Sequence, residues 1–325
     1  MKFIITIDTE GDNQWDHGRT LTVENIKYVP RFQTLCEKYG IKPTYLVTSE
    51  VCRDSYAKEI FIEYSAADRA EIGTHLHSWT TPPFLPVPGL TENDANHAFA
   101  SELPDDLLAS KIRNITEEIT ESFGKSPTSF RSGRYGFNKR VAEVLVGNGY
   151  LVDSSVTPFV SWSGHPGLPG GEGGPDFIYS SPYPSILDLP NGSLTEIPIT
   201  ILPTRFPLSF SIKLAQYYFR NVNDSILLRG FRKFFFRDQP VWLRPVPGTD
   251  HKLLKALLNV TIDMKLPFIT MMFHSSELMP GCSKYRPDNQ SVEDLYRLLD
   301  TFFAYLSVMN IGSSTLSEAA REVRL

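Results

Sequence analysis

The sequence predicts an α/β fold in which strands and helices alternate around a parallel sheet or barrel, with one insertion at about residues 156–249. Short apolar runs alternate with helix-like patterns from the first residues to Ser155, and the alternation resumes after Thr249. Between them lies a loop rich in Gly and Pro, "SWSGHPGLPGGEGGPDF". These observations predict a single domain over residues 1–325, in which the insertion forms a lid or subdomain.

The composition of the chain allows a large core and argues against nucleic acid as a partner. Of the 325 residues, 41% are hydrophobic and 21% are charged, as in globular domains. The net charge of -5 does not provide the clustered positive charge that phosphate backbones require. The three cysteines, Cys36, Cys52 and Cys282, are odd in number and widely spaced, so we expect reduced thiols rather than a disulfide framework.

The first residues, "MKFIITIDTE", predict a buried strand rather than a targeting segment. Their apolar run is shorter than that of a signal peptide, and the sequence contains no run of about 18 apolar residues. We therefore expect a cytoplasmic protein, with a peripheral position at the inner membrane as a variant of that expectation.

Helices and strands in the first half follow from the spacing of apolar residues and from their stop signals. In the first helix Ile26, Val29 and Phe32 share one face, Gly40 ends the pattern, and Pro30 is expected to bend the helix or move its start. The predicted strands here are 2–8, 42–48, 70–77, 128–131 and 150–154, and the predicted helices are 22–39, 55–64, 105–123 and 138–148.

The second half contains a predicted hairpin and three further units. "ILDLPNGSLTEIPIT" predicts two strands with Asn191 and Gly192 at the turn. A helix over 250–264 precedes the strand "PFITMMFH", and a long helix then begins with a capping-box-like pair, Ser291 and Asp294. The segment "IGSSTLSEAAREV" predicts the last strand and helix.

The segment 205–244 combines aromatic residues with eight Lys or Arg against two acids. A segment of this kind can lie at an anionic membrane surface or bind the phosphates of a lipid-linked glycan. The other interpretation is an amphipathic lid that packs on the barrel and leaves its charges in solvent.

Ionisable residues follow several of the predicted strands. "IDTEGD" places Asp8 and Glu10 at the end of the first strand, and "EIGTHLH" places His75 and His77 at the end of the third. Alternate residues of a strand share a face, and the carboxyl ends of barrel strands form one rim where active sites lie. The segments "FRSGRYG", "DSS" and "MFHSSE" end three other strands in the same way.

Together these segments resemble the motifs of the polysaccharide deacetylases, the NodB-homology proteins or carbohydrate esterase family four. The matching segments are "IDTE", "EIGTHLH", "FRSGRYG", "DSS" and "MMFH", and the resemblance covers most of the chain outside the insertion. The family fold is a distorted (β/α) barrel. The branch that this chain resembles most is linked with lipopolysaccharide and other surface-glycan biosynthesis.

The resemblance implies a metal-dependent hydrolase that removes an N-acetyl group from an amino sugar of a surface polysaccharide, or of its lipid-linked or nucleotide-linked precursor. It implies a divalent metal, zinc first and iron, cobalt or nickel as alternatives, with Glu10, His75 and His77 as ligands. Asp8 would be the general base and His274 the general acid, with Arg131 or Arg134 paired to Asp8. The residues expected to contact substrate are Trp79, Tyr135, Asp153 and Trp162.

Two departures from the family pattern keep other functions open. The family's acids are adjacent whereas Asp8 and Glu10 are one residue apart, and His75 and His77 also stand closer than the usual pair, with Trp79 at the usual second position. One alternative is a catalytically decayed barrel that only binds glycan. The other is a non-haem Fe(II) enzyme, since two His and one carboxylate can form its metal site, although alternating β and α units argue against it.

Overall fold

The computed structural model describes residues 1–14, 20–84, 97–204, 212–220 and 240–325. Within these ranges a nine-stranded sheet curls into a half-barrel, which confirms the predicted distorted (β/α) barrel. The strands are β1 Lys2–Thr9, β2 Thr44–Val47, β3 Glu71–Leu76, β4 Ser129–Ser132, β5 Val152–Asp153, β6 Ser185–Leu189, β7 Gly192–Glu196, β8 Ile201–Leu202, β9 Val241–Trp242, β10 Phe268–His274 and β11 Gly312–Ser313.

The order of strands in the sheet brings the ends of β1, β3, β4 and β10 to one rim. The order is β10-β1-β2-β3-β4-β5-β7-β6, with β11 also paired to β1, and all pairs except β6 with β7 are parallel. Asp8 lies opposite His274, and His75 lies opposite Arg131. Residues that are distant in the sequence therefore meet at the carboxyl end of the barrel.

The alternation of side chains along strand β1 explains why Asp8 points into the barrel at that rim. All of its residues from Phe3 onward are buried, as expected of a strand covered on both faces. Phe3, Ile5 and Ile7 pack in the large outer core, whereas Ile4 packs inside the barrel with Leu316 of the last helix. Asp8 shares the face of Ile4, so it points into the barrel at the opposite end.

The helices agree with the predicted alternation, with two local corrections. Pro30 lies in the first turn of a helix that begins at Val29. The predicted helix 22–39 is therefore two elements, a 3₁₀ turn at Glu24–Tyr28 and this helix. The long helix is capped by Asp288, whose carboxylate accepts from Ser291 N, so the predicted start with Ser291 and Asp294 is wrong by one turn. The helices are α1 Val29–Lys38, α2 Ser49–Arg53, α3 Ser55–Ala66, α4 Asp105–Phe123, α5 Lys139–Gly147, α6 Ile212–Arg220, α7 His251–Asp263, α8 Asn289–Val308 and α9 Leu316–Val323.

The predicted hairpin is present as β6 and β7 and extends the main sheet beyond β5. Leu189 pairs with Gly192, so the turn residues are Pro190 and Asn191, one position earlier than predicted. Most of the basic segment 205–244 lies outside the described residues, except for α6 and residues 240–244. Among the residues described, none of the helices has the length and apolarity needed to cross a membrane.

Candidate metal centre and substrate cavity

A cavity of about 680 Å³ opens at the carboxyl rim of the barrel. Five of its lining residues are the predicted acid, base and ligand side chains, which the strand order brings together. They are Asp8, Glu10, His75, His77 and His274.

Glu10, His75 and His77 form a buried donor set for a cation. Glu10 Oε2 lies 3.3 Å from His77 Nε2 and 3.8 Å from His75 Nε2. This oxygen is buried and has no hydrogen-bond partner in the described part of the chain, and the three candidate ligand atoms lie within 4.8 Å of one another. Two imidazole nitrogens and one carboxylate oxygen suit a catalytic zinc ion, so the residues present fit the metal that the resemblance implies.

Hydrogen bonds at the far side of each imidazole direct its Nε2 into this site. His75 Nδ1 lies 3.1 Å from Arg131 O, which can only accept, so Nδ1 carries the hydrogen. His77 Nδ1 contacts the side-chain oxygen of Gln14, and the Gln14 amide nitrogen donates to Glu50 Oε1 at 3.2 Å. Both rings therefore direct the Nε2 lone pair towards the site, which is the tautomer that binds metals.

Burial sets the protonation of the donor set. It lowers the pKa of His75 to about 4 and that of His77 well below its ordinary value, so both rings are neutral. Burial also raises the pKa of Glu10 to about 8 against the attraction of His274, and Asp8 adds to the rise. A buried carboxylate of this kind is stabilised by a positive partner.

Packing fixes His77 from two sides. A Cβ atom at Gly133 would lie 2.3 Å from His77 Cδ2, so glycine is required where "FRSGRYG" passes the ring. Trp79 stacks on His77 with a centroid distance of 4.3 Å and on His97 with 4.1 Å. Trp79 was expected to contact substrate, but it is absent from the described residues that line the cavity and lies between His77 and His97.

Asp8 is held by Arg131, which resolves the choice between the two predicted arginines. Arg131 Nη1 donates to Asp8 Oδ1 at 2.6 Å, while its Nε and Nη2 donate to Ser154 O and Oγ. Arg134 instead donates to the carbonyl oxygens of His97 and Pro166. Although burial acts to raise the pKa of Asp8, the charge of Arg131 outweighs it together with His75 and His274, and the pKa is lowered.

His274 is linked to two residues that the sequence analysis did not assign to the site. Arg244 Nη2 donates to His274 Nδ1 at 2.9 Å and to Glu277 Oε1 at 2.9 Å. Burial acts to lower the pKa of His274, but Glu10, Glu277 and Asp8 raise it on balance. The sequence places Arg244 at the end of the basic segment 205–244, and the structure shows that it lies in the cavity wall just after β9.

The predicted substrate residues divide into two groups. Tyr135 and Trp162 line the cavity and stack on each other at 5.0 Å, with Trp242 packed against both. Asp153 is fully buried beneath the rim, where its carboxylate accepts from Ser155 N and Ser155 Oγ. Asp153 is therefore not among the described residues that line the cavity, because the two-residue strand β5 directs its side chain into the protein interior.

The Gly/Pro-rich loop is folded around one carboxylate. Glu102 accepts from Leu168 N at 3.1 Å and from Gly173 N at 2.9 Å. A Cβ atom at Gly167 or Gly171 would lie 1.8 or 2.5 Å from that carboxylate, so these glycines allow the close approach. This arrangement orders the loop that brings Trp162 and His165 to the cavity.

Comparison with known proteins places the fold. No family model and no curated protein matches the sequence. A solved protein from Mycobacterium smegmatis, assigned to the polysaccharide deacetylases, is 16% identical with a TM-score of 0.57 over 99% of this chain and 90% of its own. The allantoinase Puue is 14% identical (TM-score 0.53, 98% and 88% covered), and a 4-alpha-glucanotransferase from Thermococcus litoralis is 13% identical (0.55, 98% and 40%).

These likenesses show the fold. The chain has the barrel found in the Mycobacterium protein, in agreement with the fold expected from the sequence motifs. The surface-glycan branch stays a prediction.

Proposed function

We propose that the protein is a metal-dependent carbohydrate deacetylase of the polysaccharide deacetylase family. Its substrate is an N-acetylated amino sugar of a surface polysaccharide or of a lipid-linked or nucleotide-linked precursor. The observation that carries the proposal is the Glu10 oxygen, which has no hydrogen-bond partner among the described residues and faces two neutral imidazoles beside the Asp8 and His274 pair. The fold shared with a protein assigned to these deacetylases supports it.

Glu10, His75 and His77 would hold the divalent cation, zinc first and iron, cobalt or nickel as alternatives. When bound, the cation supplies Lewis-acid chemistry that polarises the acetyl carbonyl and the attacking water. The two histidines are in the protonation state that binds a metal, because both rings are neutral and each Nδ1 atom forms a hydrogen bond on the side away from the site.

Asp8 acts as the general base. Its Oδ1 is held by Arg131, whereas Oδ2 faces the cavity 3.9 Å from His274 Nε2. The lowered pKa keeps the carboxylate ionised and able to accept a proton from water at neutral pH. Arg131 thus orients the base and stabilises its charge.

His274 acts as the general acid. Arg244 can only donate, so its bond to Nδ1 requires that neutral His274 carry its hydrogen on Nε2, on the side of Asp8. As the acid, His274 is protonated on both ring nitrogens, with Glu277 Oε1 3.5 Å from Nδ1, and it gives the Nε2 proton to the leaving amine. Tyr135 lines the cavity, and its backbone N–H is proposed to assist as a donor to the developing oxyanion.

The atoms balance as a hydrolysis. The oxygen of water forms a bond to the acetyl carbon while Asp8 accepts its proton, and the carbon–nitrogen bond then breaks as His274 protonates the nitrogen. The products are acetate and the free amino sugar. Tyr135 and Trp162 would position the sugar ring, since aromatic side chains bury the apolar face of a pyranose.

The proposal is tested by acetate release from N-acetylglucosamine, its oligomers and nucleotide-linked N-acetyl sugars. The full-length protein is stripped with a chelator and then reloaded with zinc, cobalt, nickel or iron(II), the last with and without air. We expect acetate release from at least one sugar, dependent on reloading and insensitive to air. Sugar binding without acetate release under every condition would favour the decayed glycan-binding barrel, and air sensitivity reversed by iron(II) and reductant would favour the Fe(II) enzyme.

A further inference from the structure

We propose that the substrate carries an oxyanion, a carboxylate or a phosphate, and that Arg134 binds it with Lys284 in support. This inference rests on the proposed function and narrows its substrate to anionic N-acetyl sugars. It is carried by the distribution of charge in the cavity and by the conformation of Arg134.

The acids that line the cavity are already engaged. Asp8 is paired with Arg131, and Glu10 belongs to the metal centre. The carboxylate of Asp12 accepts from Thr22 Oγ1 at 2.6 Å and from the backbone N–H groups of residues 24 and 25. Asp8 and Glu10 are therefore committed to Arg131 and to the metal centre. Asp12 keeps its charge but directs its oxygens to Thr22 and the backbone, and a bound divalent ion would add positive charge to the cavity.

Two of the cationic lining residues have no carboxylate partner within the described ranges. Arg244 is paired with Glu277, but Arg134 donates only to neutral carbonyl oxygens, those of His97 and Pro166. Lys284 lies on an exposed part of the cavity wall, where its ammonium group is 5.2 Å from the ring of Tyr285. The carboxylate of Glu102 attracts Arg134, but its oxygens accept from backbone N–H groups and form no ion pair with the guanidinium. Arg134 and Lys284 thus retain N–H groups and positive charge for a ligand.

Arg134 has a backbone conformation that points to a role beyond folding. Its φ angle is 52°, and the following residue, Tyr135, has φ of 61°. The left-handed region is unfavourable for a residue with a side chain, and such outliers concentrate at functional sites. The conformation seats the Arg134 guanidinium 4.0 Å from the ring of Phe99, with Arg134 Nε and further N–H groups left without a partner among the described atoms.

The chemistry of these two side chains selects an oxyanion. A guanidinium presents N–H groups in a planar fork that matches carboxylate and phosphate oxygens, whereas an ammonium group acts as a flexible point charge. The competing role for Arg134 is purely structural, since it connects the chain near His97 with the loop at Pro166. If the role of Arg134 is structural, its substitution should weaken the binding of neutral and anionic substrates alike. If Arg134 binds an oxyanion, only the binding of anionic substrates should weaken.

The experiment compares three sugars on the metal-loaded, full-length protein: N-acetylglucosamine, its 6-phosphate and its uronic acid. Arg134→Gln and Lys284→Gln are tested beside two matched controls on exposed positions of or near α4, Arg113→Gln and Lys125→Gln. Charge-assisted hydrogen bonds of this kind contribute about a tenfold or greater difference in binding. We expect Arg134→Gln to raise KM at least tenfold for one anionic sugar, with KM for N-acetylglucosamine unchanged.

Lys284→Gln should raise the KM for the same anionic sugar by a smaller factor. Added salt should also raise this KM in the parent protein, because salt screens exposed charges. The sugar that responds distinguishes phosphate from carboxylate. Equal KM values for neutral and anionic sugars in the parent protein, or equal losses for both in Arg134→Gln and none in Lys284→Gln, would overturn the inference while leaving the deacetylase function intact.

Absence of acetate release from every sugar, neutral ones included, would count against the proposed function instead. Calorimetric binding of N-acetylglucosamine 6-phosphate and of the uronic acid then decides the anion site separately. Binding that Arg134→Gln abolishes supports the site, and no binding of either anionic sugar overturns it.

Discussion

Arg131 Nη1 lies 2.6 Å from one carboxylate oxygen of Asp8, while the other oxygen lies 3.9 Å from His274 Nε2. The two oxygens of a single side chain are thus divided between a buried cation and the open cavity. This division suits a base that must stay ionised and yet reach a water molecule beside the candidate ligand His75, whose Nε2 lies 4.0 Å from the same Asp8 oxygen.

We predict that Asp8→Asn lowers kcat by about 10²–10⁴-fold and leaves metal binding unchanged, because the variant loses a base and not a ligand. Acetate release and metal content are measured on the same sample. Loss of the metal in Asp8→Asn would mean that the roles of Asp8 and Glu10 are exchanged.

Gln14→Leu should weaken metal binding by about 10–100-fold, since the Gln14 oxygen accepts from His77 Nδ1 and fixes the ring. Competition with a chelator of known affinity measures the dissociation constant. Gln290→Leu, at an exposed position in the first turn of α8, is the matched control. An unchanged metal affinity in Gln14→Leu would show that Gly133 and Trp79 position His77 without it.

The pH dependence of kcat should report the network around His274. As a general acid His274 must be protonated, so activity falls as pH rises through its pKa. The positive charge of Arg244 acts to lower that pKa, so Arg244→Gln should move the alkaline limb of the profile to higher pH. Removing Glu277 as well, in Arg244→Gln with Glu277→Gln, should move it back, and an unchanged limb in both variants would exclude His274 as the acid.

A buried carboxyl pair beneath the rim should make stability depend on pH. Asp153 and Glu196 face each other across β5 and β7, where burial first, and then Asp153, raise the pKa of Glu196 well above 4.5. Folded Glu196 therefore keeps a proton that the unfolded chain releases, and the free energy of unfolding falls as pH rises from about 4.5 towards the folded pKa.

Glu196→Gln cannot titrate, so its free energy of unfolding should fall less between pH 5 and pH 8 than that of the parent protein. The difference should be on the order of 1 kcal/mol or more, since each pKa unit corresponds to about 1.4 kcal/mol. Denaturant titrations at both pH values measure it, with the exposed Glu121→Gln as control. Parallel behaviour of Glu196→Gln and the parent protein would contradict the raised pKa.

The sequence was sufficient to predict the residues at the ends of regular strands. Asp8, Glu10, His75, His77 and His274 follow apolar runs, and parallel strands bring their ends together whatever the intervening loops do. The same reasoning failed to place Trp79 and Asp153 because it fixes a position along the chain but not the direction of a side chain in a turn or a two-residue strand.

The partners of the predicted residues could not be read from the sequence. Gln14 reaches His77 from a loop after β1, and Arg244 reaches His274 from the segment after β9. Both contacts depend on tertiary packing between distant segments, with no periodic pattern to reveal them. The left-handed pair Arg134 and Tyr135 is likewise a property of the folded turn.

The central claim is that Glu10, His75 and His77 hold one divalent metal ion. Its most direct test is the metal content per chain after zinc loading and gel filtration, measured for the parent protein and for Glu10→Gln, His75→Ala and His77→Ala. We predict one ion per parent chain and almost none in each variant, with melting temperatures confirming that the variants fold. A folded parent protein that retains no metal, or a His77→Ala variant with full occupancy, would contradict the assignment.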